Sequence, residues 1–164
     1  MKMYNVLKIV IDKKVALVIA IGVLFLSCAV KYYTAQDIYT TKLIEKLNWN
    51  SFTLSTTYAS SLVIGKDAKK IKASKGKGKL KSLVSYLTRP DKAVIIHVIL
   101  TTEIEPSRAV LKQFLHYNKD TIDFVDYSYN GLSWKLRLNG QHEDYEIQPN
   151  AIVNIEKYWR SKVK

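Results

Sequence analysis

A single apolar run, from Val15 to Val30, constrains this chain more than any other feature of its sequence. The sixteen residues include no charged residue and no proline, and lysines flank the run on both sides. As an α-helix they span about 24 Å, slightly less than the ~30 Å hydrocarbon core of a bilayer. The flanking lysines can make up the difference by placing their ammonium groups among the headgroups. We predict a transmembrane helix over residues 15–33, anchored by Val15, Leu17, Ile19, Leu24, Phe25, Leu26 and Val30.

The charges around this run predict its orientation. Four lysines precede it and are opposed only by Asp12. Because positively charged flanks stay in the cytoplasm, residues 1–14 should be a cytoplasmic tail and the bulk of the chain should lie outside. Tyr32 and Tyr33 follow the run, where aromatic side chains favour the membrane interface. We expect a single-pass protein of a bacterial inner membrane with a periplasmic C-terminal domain.

Two other interpretations of the apolar run stay open. A cleaved secretory signal is disfavoured because no pair of small residues suited to cleavage follows the run closely. A lipoprotein signal would acylate Cys28, the only cysteine, although Phe25 stands where leucine is preferred. The simplest interpretation of Cys28 is a small apolar residue within a membrane helix. A single cysteine also excludes an intramolecular disulfide and a thiolate zinc site.

A lysine-rich segment follows the anchor in the first part of the exported chain. The formal net charge is +12, and eight lysines lie between Lys66 and Lys81 with only Asp67 among them. Charge repulsion and two glycines predict a flexible loop over residues 66–79. This loop is either a solvated surface or a contact for an anionic partner or lipid. Nucleic acid is disfavoured because arginine and interleaved aromatic residues are missing. The candidate contact residues are Lys69, Lys70, Lys72, Lys75, Lys77 and Lys79.

The first part of the exported chain predicts a stalk followed by strands and a helix. Residues 34–50 carry apolar side chains at near-helical spacing and should continue the membrane helix as a stalk. A periplasmic domain over 51–164 should then begin with a strand, broken near Ala59, between Ser51 and Ile64. Leu80, Leu83, Val84 and Leu87 recur at helical spacing and predict an amphipathic helix before Pro90.

The rest of the chain predicts a small antiparallel sheet. Residues 93–100 form a continuous apolar run that is typical of a buried strand. Pro106 should begin a helix with Val110, Leu111, Phe114 and Leu115 on its apolar face. Two strands joined by the Asn130-Gly131 turn follow, the first with a bulge near 125–126. A short strand at 145–147 and a helix from Pro149 complete an α+β fold with helices on one face of the sheet, either ferredoxin-like or curved and cystatin-like.

Catalytic and metal-binding patterns are missing from the sequence. It has no glycine-rich phosphate loop, GxSxG, HExxH or CxxC motif. His97 lies in an apolar run and should be a hydrogen-bonded core residue, and His142 should lie in a solvated turn. Glu105 should stabilise the start of the helix at Pro106. We expect no enzyme activity, no cofactor and no metal. Tyr127, Tyr129 and Trp134 should share one sheet face, either as core or as an exposed protein interface.

The order of tail, membrane helix, stalk and small α+β domain resembles the bitopic inner-membrane assembly-platform proteins of type IV pilus and type II secretion systems. The most similar segment is residues 94–140, where the strand, helix and hairpin pattern rests on packing residues. The matching positions are Leu111, Phe114, Leu115, Ile122, Trp134, Leu136 and Gly140.

The resemblance implies a ferredoxin-like periplasmic domain in a scaffold without enzyme activity. Such a scaffold dimerises and binds other inner-membrane subunits of its machine. The alternative is an anchored or lipidated envelope binding module, which includes the curved-sheet (NTF2-like) domains of conjugation machines. Its lysine-rich loop would contact an anionic partner or lipid. An anchored enzyme is the third and weakest class.

Overall fold

The structure, a computed structural model, describes residues 2–55, 61–76, 78–119, 121–139 and 142–163. Five α-helices and six strands are assigned within these ranges: α1 (Lys2–Glu45), β1 (Phe52–Ser55), β2 (Ser61–Ile64), α2 (Lys66–Ala73), α3 (Lys79–Ser85), α4 (Pro90–Ile104), β3 (Leu111–Asn118), β4 (Thr121–Tyr129), β5 (Leu132–Asn139), β6 (His142–Ile147) and α5 (Pro149–Lys162). Short 3₁₀ turns at Trp49–Ser51 and Pro106–Arg108 connect neighbouring elements. The α+β class is confirmed.

Helix α1 runs without interruption through the apolar run and the predicted stalk. Nine large apolar side chains between Val15 and Leu26 are 44–73% exposed. Val30 belongs to α1, but its side chain lies outside the described set. No helix among the described residues meets the length and apolarity needed to cross a membrane.

The end of α1 is part of the domain rather than a free stalk. Leu43, Ile44 and Leu47 are buried in the core, and Thr40 is fully buried as well. The helix ends at Glu45, within the segment 34–50 that was predicted as the stalk. The buried core therefore includes residues of the predicted stalk, which precede the predicted domain over 51–164.

Helix α4 forms the centre of the core, so the prediction of a strand over 93–100 is wrong. All residues from Lys92 to Thr101 are buried, because α2, α3, α5 and the Trp49–Ser51 turn pack around this helix. A segment buried on every side has no polar face, and a short apolar run of this kind does not distinguish helix from strand. Pro90 at the first helical position and Asp91 in the first turn are the start signals that favour a helix.

The helix predicted from Pro106 is also wrong. Only Pro106–Arg108 form a 3₁₀ turn, and β3 follows at Leu111. The spacing of Val110, Leu111, Phe114 and Leu115 fits a helix, but Leu111 and Leu115 also share one face of a strand. Because strand and helix exchange places here, the ferredoxin-like arrangement of residues 93–140 does not form.

The main sheet is an antiparallel meander in the order β3-β4-β5-β6, and β1 and β2 form a separate hairpin. The strands β4 and β5 and the hairpin at Asn130-Gly131 are confirmed, with φ of 44° and 86° at the two turn residues. The predicted bulge near 125–126 is wrong. The register instead shifts between His116 and Tyr117, opposite Phe124 and Ile122.

The flexible loop predicted over residues 66–79 is wrong for most of its length. Residues 66–73 form α2, whose Ala68 and Ile71 are fully buried against the rest of the domain. These two residues are three positions apart, so they lie on one helix face while the lysines project from the others. A short connection, with residue 77 outside the described ranges, leads to α3 at Lys79.

The two faces of the main sheet differ in burial. One face is buried at the centre of the sheet by Val125, Tyr127, Tyr129 and by Leu132, Trp134 and Leu136. The opposite face carries Lys112, Asp126, Lys135 and Arg137, which are exposed or half-buried. Helices thus cover one face, as predicted, and Tyr127, Tyr129 and Trp134 belong to the core. An exposed interface built from these three residues is therefore wrong.

Candidate binding site

A pocket of about 670 Å³ opens between the β1–β2 hairpin and the buried face of the main sheet. Its volume falls within the range of small-molecule and side-chain pockets in proteins. The floor is made by Val125, Tyr127 and Leu136, and β3 contributes Gln113 and Leu115 along one side. The helices cover the Tyr129 end of this sheet face, so the pocket occupies the part that they leave open.

Aromatic rings form the wall opposite β3. The rings of Trp49 and Tyr145 stack with centroids 4.4 Å apart and planes 10° apart. Phe52 meets both rings edge-on, at 6.2 Å from Trp49 and 5.9 Å from Tyr145. Such aromatic pairs are rigid and present large apolar surfaces with little loss of side-chain entropy on binding. The residues that line the pocket include no lysine, arginine, aspartate or glutamate. Its chemistry therefore suits a neutral, largely apolar group.

Exposed apolar side chains continue from the pocket onto the end of the β3–β4 hairpin. Phe114, Leu115 and Tyr117 on β3 are 58%, 41% and 62% exposed, and Ile122 on β4 is 37% exposed. Within the described residues, β3 is an edge strand that pairs only with β4. An edge strand with exposed apolar residues on both faces is a template for pairing with another chain.

His97 is a buried structural link rather than a catalytic or ligand-binding residue. Its Nδ1 accepts a hydrogen bond from the Trp159 indole N–H at 2.8 Å, so the proton resides on Nε2 and is donated to the Tyr129 carbonyl at 2.8 Å. Burial lowers the pKa of His97 to about 4, so the ring is neutral at pH 7. The predicted core role is confirmed, and this histidine joins α4, β4 and α5.

Glu105 connects the end of α4 to α5, and its side chain makes no capping hydrogen bond to the 3₁₀ turn that follows it. The Tyr158 hydroxyl donates to its carboxylate at 2.5 Å, and Lys162 Nζ lies 3.2 Å away. The hydrogen bond from Tyr158 lowers the pKa of Glu105 below its usual value. Glu103 pairs separately with Lys79 at 2.9 Å. The two glutamates therefore hold helices together, and neither lines the pocket.

The structure separates the lysines that the sequence grouped as an anionic contact. Lys69, Lys70, Lys72 and Lys75 are exposed, whereas Lys79 is only 11% exposed in its ion pair with Glu103. Lys79 is thus less accessible to an anionic partner than these four lysines, because it is paired within the fold. Lys77 lies outside the described residues. The described residues hold no group of three His, Cys, Asp or Glu that is suited to a metal ion.

Sequence reasoning missed the pocket and the exposed edge because both depend on β3 being a strand. Residues 111–118 and 121–129 have similar lengths and flank a short polar connection that includes Lys119. This pattern is typical of a hairpin, and the aromatic residues Phe114 and Tyr117 favour a strand. The stacking of Trp49 on Tyr145 joins residues almost one hundred positions apart, and no local pattern predicts it.

No protein-family model, curated protein or solved structure matches this chain.

Proposed function

We propose that the chain is a membrane-anchored binding module without enzyme activity, which captures an extended apolar segment of a partner protein. The observation that carries the proposal is the pocket beside the exposed edge of β3. Leu115 belongs to both features, since it lines the pocket and is 41% exposed.

Strand addition explains how such a segment would bind. A partner strand beside β3 would form main-chain hydrogen bonds with the edge and direct alternate side chains to the two faces of the sheet. Side chains on the inner face would enter the pocket between Gln113, Leu115 and the aromatic wall. The exposed ring of Phe114 would meet those on the outer face, whereas Tyr117 lies on the same face as Leu115 and would meet side chains on the inner face. An uncharged lining favours aliphatic or aromatic side chains over charged ones.

The anchor in this proposal is the apolar part of α1. Its side chains between Val15 and Leu26 are exposed on every side of the helix, which is unfavourable in water and favourable in lipid. The orientation expected from the lysines before the run places the domain outside the cytoplasm. Cleavage after the run and acylation of Cys28 stay as alternatives.

The topology favours the envelope binding module, with a curved sheet of the NTF2-like kind, over the assembly platform. Helices come first, a four-stranded meander follows, and α5 ends the domain. The pilus or secretion scaffold is the second candidate, supported by the continuity of anchor and domain in α1. Its support is weaker because the resemblance over 94–117 needs a strand followed by a helix, whereas the structure has the helix α4 followed by the strand β3. Dimerisation is a proposal in both cases.

The experiment compares two exposed aliphatic residues in the full-length chain. Leu115→Lys places a charge at the pocket edge, and Val153→Lys places one on α5, where the wild-type side chain is 59% exposed. Both variants should fold, since neither position is buried. Purification from native membranes after crosslinking, followed by quantitative mass spectrometry, should show a partner that falls at least tenfold with Leu115→Lys only. Equal recovery with both variants would reject β3 as the binding edge.

Anchoring is tested separately by extraction with alkaline carbonate and by a compartment reporter fused after Lys164. The chain should stay with the membrane fraction, and the reporter should be active only outside the cytoplasm. An unchanged mass and unchanged retention in Cys28→Ala would exclude the lipidated form. Release of the full chain into the carbonate supernatant would contradict the proposed anchor while leaving the binding edge to be judged by its own test.

A further inference from the structure

The connection between α2 and α3 is hydrogen-bonded to α1 close to the end of the apolar run. We define the α2–α3 turn as Ser74, Lys75, Gly76 and Gly78. The Thr40 hydroxyl donates to Ser74 Oγ at 3.2 Å, and the backbone N–H of Gly78 donates to Asp37 Oδ1 at 3.1 Å. Thr40 and Asp37 lie one turn apart on α1, so the α2–α3 turn follows the surface of this helix.

The two glycines permit this close approach. A β-carbon at Gly76 would collide with Asp37 Oδ1, and one at Gly78 would lie 3.2 Å from the Asp37 carboxylate. Any larger residue at these positions would displace the carboxylate that accepts the Gly78 hydrogen bond. The alternation of glycine with lysine, which the sequence suggested as a source of flexibility, thus brings a basic segment into contact with α1.

Helices α2 and α3 run in opposite directions beside α1. The α2–α3 turn that joins them lies at the end of this helix pair that is nearest to the apolar run. Helix α2 starts beside the end of the α1 segment, where Gly65 N–H donates to the Ser51 carbonyl at 2.8 Å. It then runs back along α1 to Thr40. Helix α3 returns in the opposite direction, and the hydroxyl of Tyr86 beyond its end donates to Glu45 at 3.2 Å.

Helix geometry places the α2–α3 turn just beyond the lipid headgroups, within reach of lysine side chains. Asp37 follows Val30 by seven residues, which corresponds to about 10 Å along the helix. The headgroup layer adds roughly 5–8 Å on each side of the hydrocarbon core. Lys72 and Lys75, whose stems extend several ångströms, therefore lie within about one Debye length of that layer.

The charge near the α2–α3 turn is positive. Lys72 and Lys75 are exposed. Of the carboxylates close to them, Glu103 pairs with Lys79, and Asp37 accepts the Gly78 amide of the turn itself. Among the described residues, two exposed lysines beside one carboxylate without a cationic partner leave this surface positive. Asp67 lies at the opposite end of α2, where it pairs with Lys70 at 3.4 Å.

We propose that Lys72, in the last turn of α2, and Lys75, on the α2–α3 turn, bind anionic phospholipid headgroups of the bilayer that holds α1. This inference rests on the proposed membrane anchor and adds a second contact between the domain and the same membrane. Two contacts, one along α1 and one beside it, would fix the rotation of the domain about the helix axis. The binding edge of β3 would then face a constant direction relative to the membrane.

Amine footprinting of the full-length wild-type chain tests the proposal. The protein is placed in vesicles of phosphatidylcholine alone or with added phosphatidylglycerol, treated with an uncharged acetylating ester, and analysed by peptide mass spectrometry. Each lysine near an anionic surface contributes a factor of about five to the interaction, so acetylation of Lys72 and Lys75 should slow by a similar factor. High salt should restore the rate. Lys66, at the far end of α2, and Lys157 on α5 are the exposed controls.

The possible outcomes distinguish a failure of the proposed lipid contact from a failure of the proposed membrane anchor. Protection of Lys72 and Lys75 without protection of Lys66 and Lys157 supports the proposal. Equal rates in both lipids, or equal protection of all four lysines, would overturn it even when the chain resists carbonate extraction. A chain that leaves the vesicles in carbonate would overturn the anchor and, with it, the contact of the turn. A Lys72→Gln/Lys75→Gln variant should stay anchored, because it leaves α1 unchanged.

Discussion

At the scale of single residues, the buried side chains of His97 and Lys92 have specific hydrogen-bond partners in this fold. His97 is fully buried and uses both ring nitrogens, one toward Trp159 and one toward the Tyr129 carbonyl. Lys92, only 4% exposed, donates to the Glu45 and Leu47 carbonyls. A buried polar group without partners destabilises a fold by about 1–3 kcal/mol, so these contacts define which packing is native.

The buried histidine makes stability depend on pH. The pKa of His97 is about 4 in the folded chain and about 6.5 in the unfolded chain, because burial disfavours the charged ring. Below pH 6.5 the unfolded state binds the additional proton, so the free energy of unfolding falls as the pH drops from about 6.5 to about 4. At about 1.4 kcal/mol per pH unit, the loss from this residue is about 3 kcal/mol.

Urea unfolding of the detergent-solubilised chain at a series of pH values measures this dependence. His116→Gln, which changes an exposed histidine on β3, is the matched control. His97→Gln should be less stable at pH 7 and should have a shallower slope. A wild-type stability that is constant over this interval would show that His97 is not the group that titrates.

At the scale of elements, the sequence predicted those whose signals are local. The strands β4 and β5 alternate cleanly around Asn130-Gly131, and α5 begins at Pro149 as expected. The elements that were predicted wrongly are those whose secondary structure depends on burial by segments distant in the sequence. Helix α4 is apolar on every side because five other elements surround it or its ends, and α2 is helical because Ala68 and Ile71 meet the core.

The same distinction applies to the candidate site. The aromatic residues of the pocket wall come from the Trp49–Ser51 turn, β1 and β6, which pack together only in the folded domain. The sequence grouped Tyr127 and Trp134 correctly on one face, where their rings stack at 5.6 Å. The sequence could not predict which end of that face the helices cover. The covered end depends on which parts of residues 93–117 form a helix and which form a strand.

The joint between α1 and α4 provides a prediction at this scale. The ammonium group of Lys92 satisfies carbonyls at the C-terminus of α1, where a positive charge is also favoured by the helix dipole. Lys92→Met keeps the length of the side chain but leaves these carbonyls unpaired, so the free energy of unfolding should fall by about 1–3 kcal/mol. Lys157→Met, at an exposed position on α5, should change it little. Urea midpoints of the two variants measure the difference, and similar midpoints would contradict the capping role.

At the scale of the whole molecule, one helix connects the proposed anchor to the core of the domain. Helix α1 passes from exposed apolar side chains to buried ones within about twenty residues and without a break. A continuous helix fixes the orientation of the domain relative to the anchor, whereas a flexible linker would limit only the distance between them. The position of the β3 edge relative to the membrane therefore depends on the helicity of the segment between the apolar run and Asp37.

Ala35→Pro tests this dependence, because proline interrupts a helix and Ala35 lies between the anchor and the first domain contacts. The core begins after this position, so the urea midpoint of the domain should change little. Spin labels on Cys28, the only native cysteine, and on Lys66→Cys report the distance between anchor and domain. The distance distribution should be narrow with Ala35→Gln and should broaden with Ala35→Pro. Equally narrow distributions would mean that contacts other than α1, such as those of the α2–α3 turn with lipid, fix the domain on the membrane. In that case Lys72→Gln/Lys75→Gln combined with Ala35→Pro should broaden the distribution, since both connections are then weakened.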